Sequence, residues 1–220
     1  MQTESAYDRM RRDILALRLS PGQPLSERGL EGASGASRTP VRAALARLAA
    51  EGLVRREGRG WIVAPLDLDE VVHAVAYREA LEAAAIEVVV GSASDAELGA
   101  LAELAERQSD GPDEVIRDGE RFHVELVALA GNPLITDGVR SALIRLARAR
   151  WLEASRADRQ QRSRHEHLAI VAALRARDAA TATRLAREHG RRVRDDLLES
   201  LAGERARGLR VTGSRLQESG

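Results

Sequence analysis

The chain has 220 residues, 44% hydrophobic and 31% charged, and its 34 basic side chains, all Arg, balance 34 acidic ones. That is enough for one or two packed domains, and it excludes both a polybasic chain and a disordered acidic one. Cys is absent, which removes disulfides, thiolate metal sites and thiol nucleophiles. The opening MQTESAYDRMRRD leads into no apolar run. No later stretch approaches the roughly 18 apolar residues of a membrane span, so the sequence reads as soluble and cytoplasmic. Aromatic side chains are confined to Tyr7, Trp61, Tyr77, Phe122 and Trp151. Cores must therefore come from Leu, Ile, Val and Ala, which favours a mainly α fold.

Charge is unevenly placed. Residues 1–66 hold 11 Arg against 7 Asp and Glu, a surplus of +4 that the remainder balances. A basic leading segment on an acidic remainder fits a nucleic-acid reader joined to a control module.

Within that segment, Tyr7, Met10, Ile14, Leu15 and Leu17 have helical spacing. Ser20, Pro21 and Gly22 then form a turn, Pro fixing φ and Gly accepting positive φ. Ser26 is the expected cap of a second helix, which Gly32, Ser34 and Gly35 end. Ser37 is the expected cap of a third, with Pro40 in its first turn, running to Ala50 or Glu51. Val41, Leu45 and Leu48 make the apolar stripe of that helix. Arg38, Thr39 and Arg42 fall about a quarter turn away and should face outward. After Gly52, the runs LVRR and WIV around EGRG predict a β-hairpin. Three helices and a hairpin make a winged helix-turn-helix, whose third helix enters the major groove.

The stretch PGQPLSERGLEGASGASRTPVRAALARLAAEGLVRREGRGWIVAPL resembles the DNA-binding domain of GntR-family transcription regulators, above all in its PG, LSER, SRTPVR and EGLV segments. The resemblance covers residues 5–66 and implies DNA contacts from Arg28, Ser37, Arg38, Thr39 and Arg42, with Arg59 and Gly60 in the wing. Arg suits this work because its planar fork pairs with guanine or phosphate. Arg55 and Arg56 divide evenly between phosphate contact and a plain solvated role.

From Asp67 no Pro occurs until Pro112, and helical periodicity persists to about Leu201. Breaks at Gly91, Gly111–Pro112 and Gly131–Pro133, a capping box at Ser94 and Glu97, and caps at Asp158 and Asp178 divide this part into six antiparallel helices. The domains are then 1–66 and 67–202, with a polar, Gly-rich tail over 203–220 expected to be disordered.

AYREALEAAA, RFHVELVALAGNPLI and HLAIVAALRARDAATATRLAREH resemble the effector-binding FCD domain of the FadR subfamily. That resemblance implies a divalent metal, Zn, Ni or similar, held by His123, His167 and His189, with a small carboxylate effector beside it and Arg78 facing the cavity. The family's fourth ligand lies four residues before the first His, where this chain has Gly119. Glu120 shares a helix face with His123 and is the substitute, with Asp118 as fallback. Arg78 can equally pair with Glu82 one turn on. His73 and His165 have no counterparts and are read as surface residues.

The resulting expectation is a non-enzymatic, homodimeric transcription regulator, by family habit a repressor, reading a palindromic operator and responding to a small organic acid. A metal-free helical dimerisation module is one alternative. A three-His hydrolase is another, although no HExxH motif or nucleophile elbow is present.

Overall fold

The computed structural model describes residues 5–34, 37–108, 111–154 and 156–213. The chain divides into two compact units, Met1–Asp69 together with Leu201–Gly220, and Glu70–Ser200.

In the first unit the Ser5 hydroxyl accepts from the Asp8 N–H at 3.1 Å and opens α1 (Ala6–Leu15). It satisfies one of the donors a first turn leaves unpaired. Met10 and Ile14, a turn apart, are the face α1 buries. The expected turn follows, with the Gln23 N–H donating to the Ser20 carbonyl at 2.9 Å and Gly22 at φ 82°. A strand that sequence reading missed, β1 (Pro24–Leu25), precedes α2 (Glu27–Ser34). Two residues are too few to show strand alternation. Ser26 caps α2 through the Gly29 N–H at 3.0 Å. The expected stop at Gly35 lies outside the described residues.

Ser37 precedes α3 (Arg38–Ala50) but makes no side-chain capping bond. Pro40, whose φ is preset for helix, sits in the first turn, where a missing N–H is harmless. Val41, Ala44, Leu45 and Leu48 of α3 join Met10, Ile14, Leu25, Leu53, Val54 and Val63 in one buried cluster. The wing is the hairpin of β2 (Val54–Glu57) and β3 (Gly60–Val63), with Val54 opposite Val63. β1 pairs with the other edge of β3, Pro24 opposite Ile62, so the wing is fastened to the chain entering α2.

The expectation of a disordered tail from residue 203 is corrected through Gly213. β4 (Leu66–Asp67) pairs in parallel with β5 (Val211–Thr212), and the Leu66 N–H donates to the Arg210 carbonyl at 3.2 Å. Leu66 and Val211 are both buried, and this pair of apolar side chains is what the polar composition around them concealed. Residues 214–220 lie outside the described part.

The second unit is built on α4 (Leu68–Ser92), α5 (Asp95–Glu106), α6 (Pro112–Ala128), α7 (Pro133–Glu153), α8 (Ala157–Arg175) and α9 (Ala179–Ala206). Both halves of the Ser94–Glu97 capping box form, and Asp178 accepts from the Thr181 N–H at 2.9 Å. Two boundaries move: Arg156, not Asp158, is the cap residue of α8, and α9 continues past Leu201. α6 packs on α7, and α5 packs on α6 and α8. The main core joins Ile86, Leu98, Leu101, Phe122, Leu126, Ile170 and Leu174. Among the described residues no helix is long and apolar enough to cross a membrane.

Leu45 is fully buried under α3. Leu45→Ala is expected to destabilise the first unit by about 2–5 kcal/mol, the range for emptying a Leu-sized space in a core. Urea unfolding followed by Trp61 fluorescence in a Trp151→Phe background measures this.

Candidate functional site

Two groups of side chains stand out, one in each unit. In the first, Arg28, Ser37, Arg38, Thr39, Arg42, Arg59 and Gly60 are all exposed, as helix geometry required of Arg38, Thr39 and Arg42. Arg42, Arg59 and Gly60 line one open depression between α3 and the wing, with Arg56 and Glu27 also on its walls. Two of the arginines are not free cations. Arg42 pairs with Glu27 at 2.8 Å and Arg38 with Glu31 at 3.2 Å, both partners lying on α2. Pairs this exposed add little stability and are readily exchanged for another anion. Of the two undecided wing residues, Arg56 stacks over the Trp61 ring at 4.1 Å and Arg55 lies 3.6 Å from Glu57.

In the second unit three helices each deliver one imidazole to one place. His123 on α6, His167 on α8 and His189 on α9 are buried, and each offers a ring nitrogen within 4.8 Å of the others. The Nε2 atoms of His167 and His189 are 3.4 Å apart. Two nitrogens bound at 2.0–2.1 Å to one tetrahedral Zn²⁺ would be separated by about 3.3–3.4 Å. Phe122 stacks on the His167 ring at 3.9 Å between centroids and helps hold its plane.

All three rings are kept neutral, and hence available as lone-pair donors. Burial is the main cause, pushing His189 down to about 3 and His123 and His167 well below the ordinary imidazole value. The positive charges of Arg78 and Arg150 act in the same direction on each ring.

Two carboxylates hold the outer side of this cluster, and sequence reasoning did not assign either to it. Glu166 Oε2 lies 2.7 Å from His189 Nδ1. A neutral His189 that donates there keeps its Nε2 lone pair toward the other rings. Glu82 Oε1 lies 2.9 Å from His123 Nδ1, although the approach is off the line a hydrogen bond needs. Arg78, 1% exposed, lies beside the same carboxylate, its Nε 3.4 Å away. Arg78 lines the adjoining cavity and pairs with Glu82. Burial raises the Glu82 pKa, against the opposing charge of Arg78. The signal for Glu82 was its place one turn from Arg78; Glu166 carried none, because its partner lies on another helix.

The expected fourth ligand is not brought into the cluster. Among the described residues the group able to hold an ion consists of the three histidines, without Glu120 or Asp118. Asp118 lines the adjoining cavity, whereas Glu120 is half-buried and its charge acts on Arg150. Gly119 explains the arrangement, since a Cβ there would run into Arg150 Nη2. The guanidinium of α7 occupies the space where a side chain at 119 would project. A second close approach accounts for the glycine inside α9: a Cβ at Gly190 would meet the Glu79 carboxylate. His73 and His165 are exposed and stand apart from the cluster.

The cavity beside the histidines has a volume of about 120 Å³ and is walled by Arg78, Arg150, Arg159 and Ser163 as well as by the rings. Arg159 is already matched by acids: it pairs with Glu153, with Glu199 at 2.7 Å and with Asp196 at 3.8 Å. Arg78 Nε and Nη2 and Arg150 Nη1 are buried without hydrogen-bond partners. A small acid fits such a wall, because unsatisfied buried donors are costly until an acceptor reaches them.

Comparison with known proteins agrees with this division. Residues 2–63 match the family described as bacterial regulatory proteins, gntR family, and residues 73–192 match the FCD domain. The Nta operon transcriptional regulator of Aminobacter aminovorans is 30% identical over 188 residues, covering 83% of this chain and 88% of that protein. The HTH-type transcriptional repressor RspR of Escherichia coli is 26% identical over 192 residues, covering 84% of each. The solved structure of E. coli McbR/YncC superposes with a TM-score of 0.66 at 18% identity, covering 88% of this chain and 95% of that one. With a winged helix that matches one domain and a histidine-bearing bundle that matches the other, the chain belongs to the GntR family of transcriptional regulators and carries an FCD domain.

Proposed function

We propose that this regulator is a homodimeric repressor whose operator affinity is set by a small organic acid bound beside a divalent metal in the helical unit. The observation that carries this reading is the convergence of His123, His167 and His189 on one buried point that opens into an arginine-walled cavity. Three neutral imidazoles suit Zn²⁺, Ni²⁺ or a similar ion, leaving coordination positions for water or an effector oxygen. A bound metal would supply a fixed positive charge for that oxygen. Glu166 and Glu82 would orient the ligating rings, and Arg78 would meet the effector's carboxylate.

On the DNA side, Arg38, Thr39 and Arg42 at the leading end of α3 read base edges or phosphates. Ser37, Arg28 and the wing pair Arg59–Gly60 fix the domain on the duplex. Glu27 and Glu31 give up Arg42 and Arg38 as DNA phosphates replace them. One recognition helix reads few base pairs, so a two-fold dimer on a palindromic site is needed for specificity. The acid acts by linkage: it weakens DNA binding to the extent that it prefers the arrangement that binds DNA poorly. That RspR is named a repressor supports repression as the sign here.

Arg42→Ala is expected to cost about 1–3 kcal/mol of affinity for DNA from the gene's own promoter. The unfolding midpoint should stay unchanged, and gel-shift titration at fixed salt measures the affinity; unaltered affinity removes Arg42 from the reading surface. Glu166→Gln is expected to lower metal affinity about 10–100-fold by loosening His189, read by competition with a chromogenic chelator. Metal analysis of protein purified without added metal, beside a His123→Ala/His167→Ala variant, tests the site as a whole. Equally little metal in both would leave the metal-free module as the better reading.

A further inference from the structure

The outer face of α3 is not led by its arginines. At about 100° per residue, Thr39, Ala43 and Ala46 fall within about 30° of the direction opposite the buried stripe of Val41, Leu45 and Leu48, and all three are exposed. The arginines stand to either side of this ridge and are drawn away from it. Arg38 and Arg42 lean onto Glu31 and Glu27 of α2. Arg47, on the other flank, has its Cζ 3.8 Å from the centroid of the Tyr7 ring on α1 and its Nε 3.6 Å from Glu51. What α3 presents foremost is therefore a row of short, methyl-bearing side chains, about 10 Å long or about three base-pair steps. Such short side chains let the helix backbone come close to base edges. Ala46 also lines the depression that α3 shares with Arg59 and Trp61 of the wing.

We infer that this ridge selects thymine: the methyl groups of Thr39, Ala43 and Ala46 pack against thymine 5-methyl groups in the major groove, and Arg38 and Arg42, on the flank, are left for phosphate or guanine. A methyl group neither donates nor accepts a hydrogen bond, and the apolar group that a base pair offers in that groove is the thymine methyl. Contact between the two removes apolar surface of both partners from water. Any other base edge at that place sets polar atoms against a methyl and leaves them without a partner. The centre of each half-site is then occupied by A·T pairs. This rests on the reading above that α3 enters the major groove, and adds the base that its outermost side chains choose.

The test uses the full-length chain and a duplex from the gene's own promoter, made either with thymine or with deoxyuridine throughout, which lacks only the 5-methyl group. Fluorescence anisotropy titration at fixed salt compares the two. Removing the methyl groups is expected to weaken binding at least about fourfold, the worth of one buried methyl. A random duplex should bind equally in either form. Thr39→Ser, Ala43→Gly and Ala46→Gly each delete one methyl from the ridge. Any loosening of the helix by glycine acts alike on both duplexes, so the ratio of the two affinities isolates the contact. At least one of these variants is expected to bring that ratio close to that of the random duplex, which identifies the methyl in contact. Equal affinity of the unaltered chain for the two promoter duplexes overturns the inference while leaving α3 as a reader of DNA. A ratio that none of the three variants lowers gives the thymine methyls to other residues and overturns it too. No preference for promoter over random duplex overturns the groove-reading role of α3 itself.

Discussion

Keeping three imidazoles uncharged inside a helical bundle is the condition on which the second unit depends. Their donor atoms are useful only while protons are held off, and burial does most of that work, with Arg78 and Arg150 adding to it. The carboxylates that touch the rings do so at Nδ1, on the outer side, and leave the inner nitrogens to one another. The centre is thus built of neutral donors inside and charged groups around them.

The same bundle shows why small residues stand where they do. Gly119 admits the Arg150 guanidinium and Gly190 admits the Glu79 carboxylate. Both glycines sit inside helices, where they weaken the helix by about 1 kcal/mol relative to Ala. Each leaves room for the end of a charged side chain that a Cβ would have to push aside. In the first unit the logic is different, because the side chains proposed to meet DNA are exposed and it is their platform that is buried. The stripe of Val41, Leu45 and Leu48 sets the rotation of α3 and thereby presents Arg38, Thr39 and Arg42 to solvent.

Much of this was legible in the chain, for identifiable reasons. The helices carry long apolar periods and strong stop signals, such as Pro112, Pro133 and the Ser94–Glu97 box, so their number and order follow from local rules. The three histidines were found because the resemblance supplied their spacing; periodicity alone placed each on a helix without saying that they meet. Neither Glu120 nor Asp118 joins the three histidines, and the helix bearing His123 does not reveal that Arg150, from another helix, packs against Gly119. Glu166 was missed for the same reason. β1 and β5 escaped because each has two residues, and their pairing is decided by partners distant in sequence.

The pairing of Leu66–Asp67 with Val211–Thr212 gives the molecule an unusual wiring. Topologically the helical unit is an insert, spliced in sequence between two neighbouring strands of the first unit. Trimming the chain before Val211 would therefore leave the edge of β4 without the strand that pairs with it.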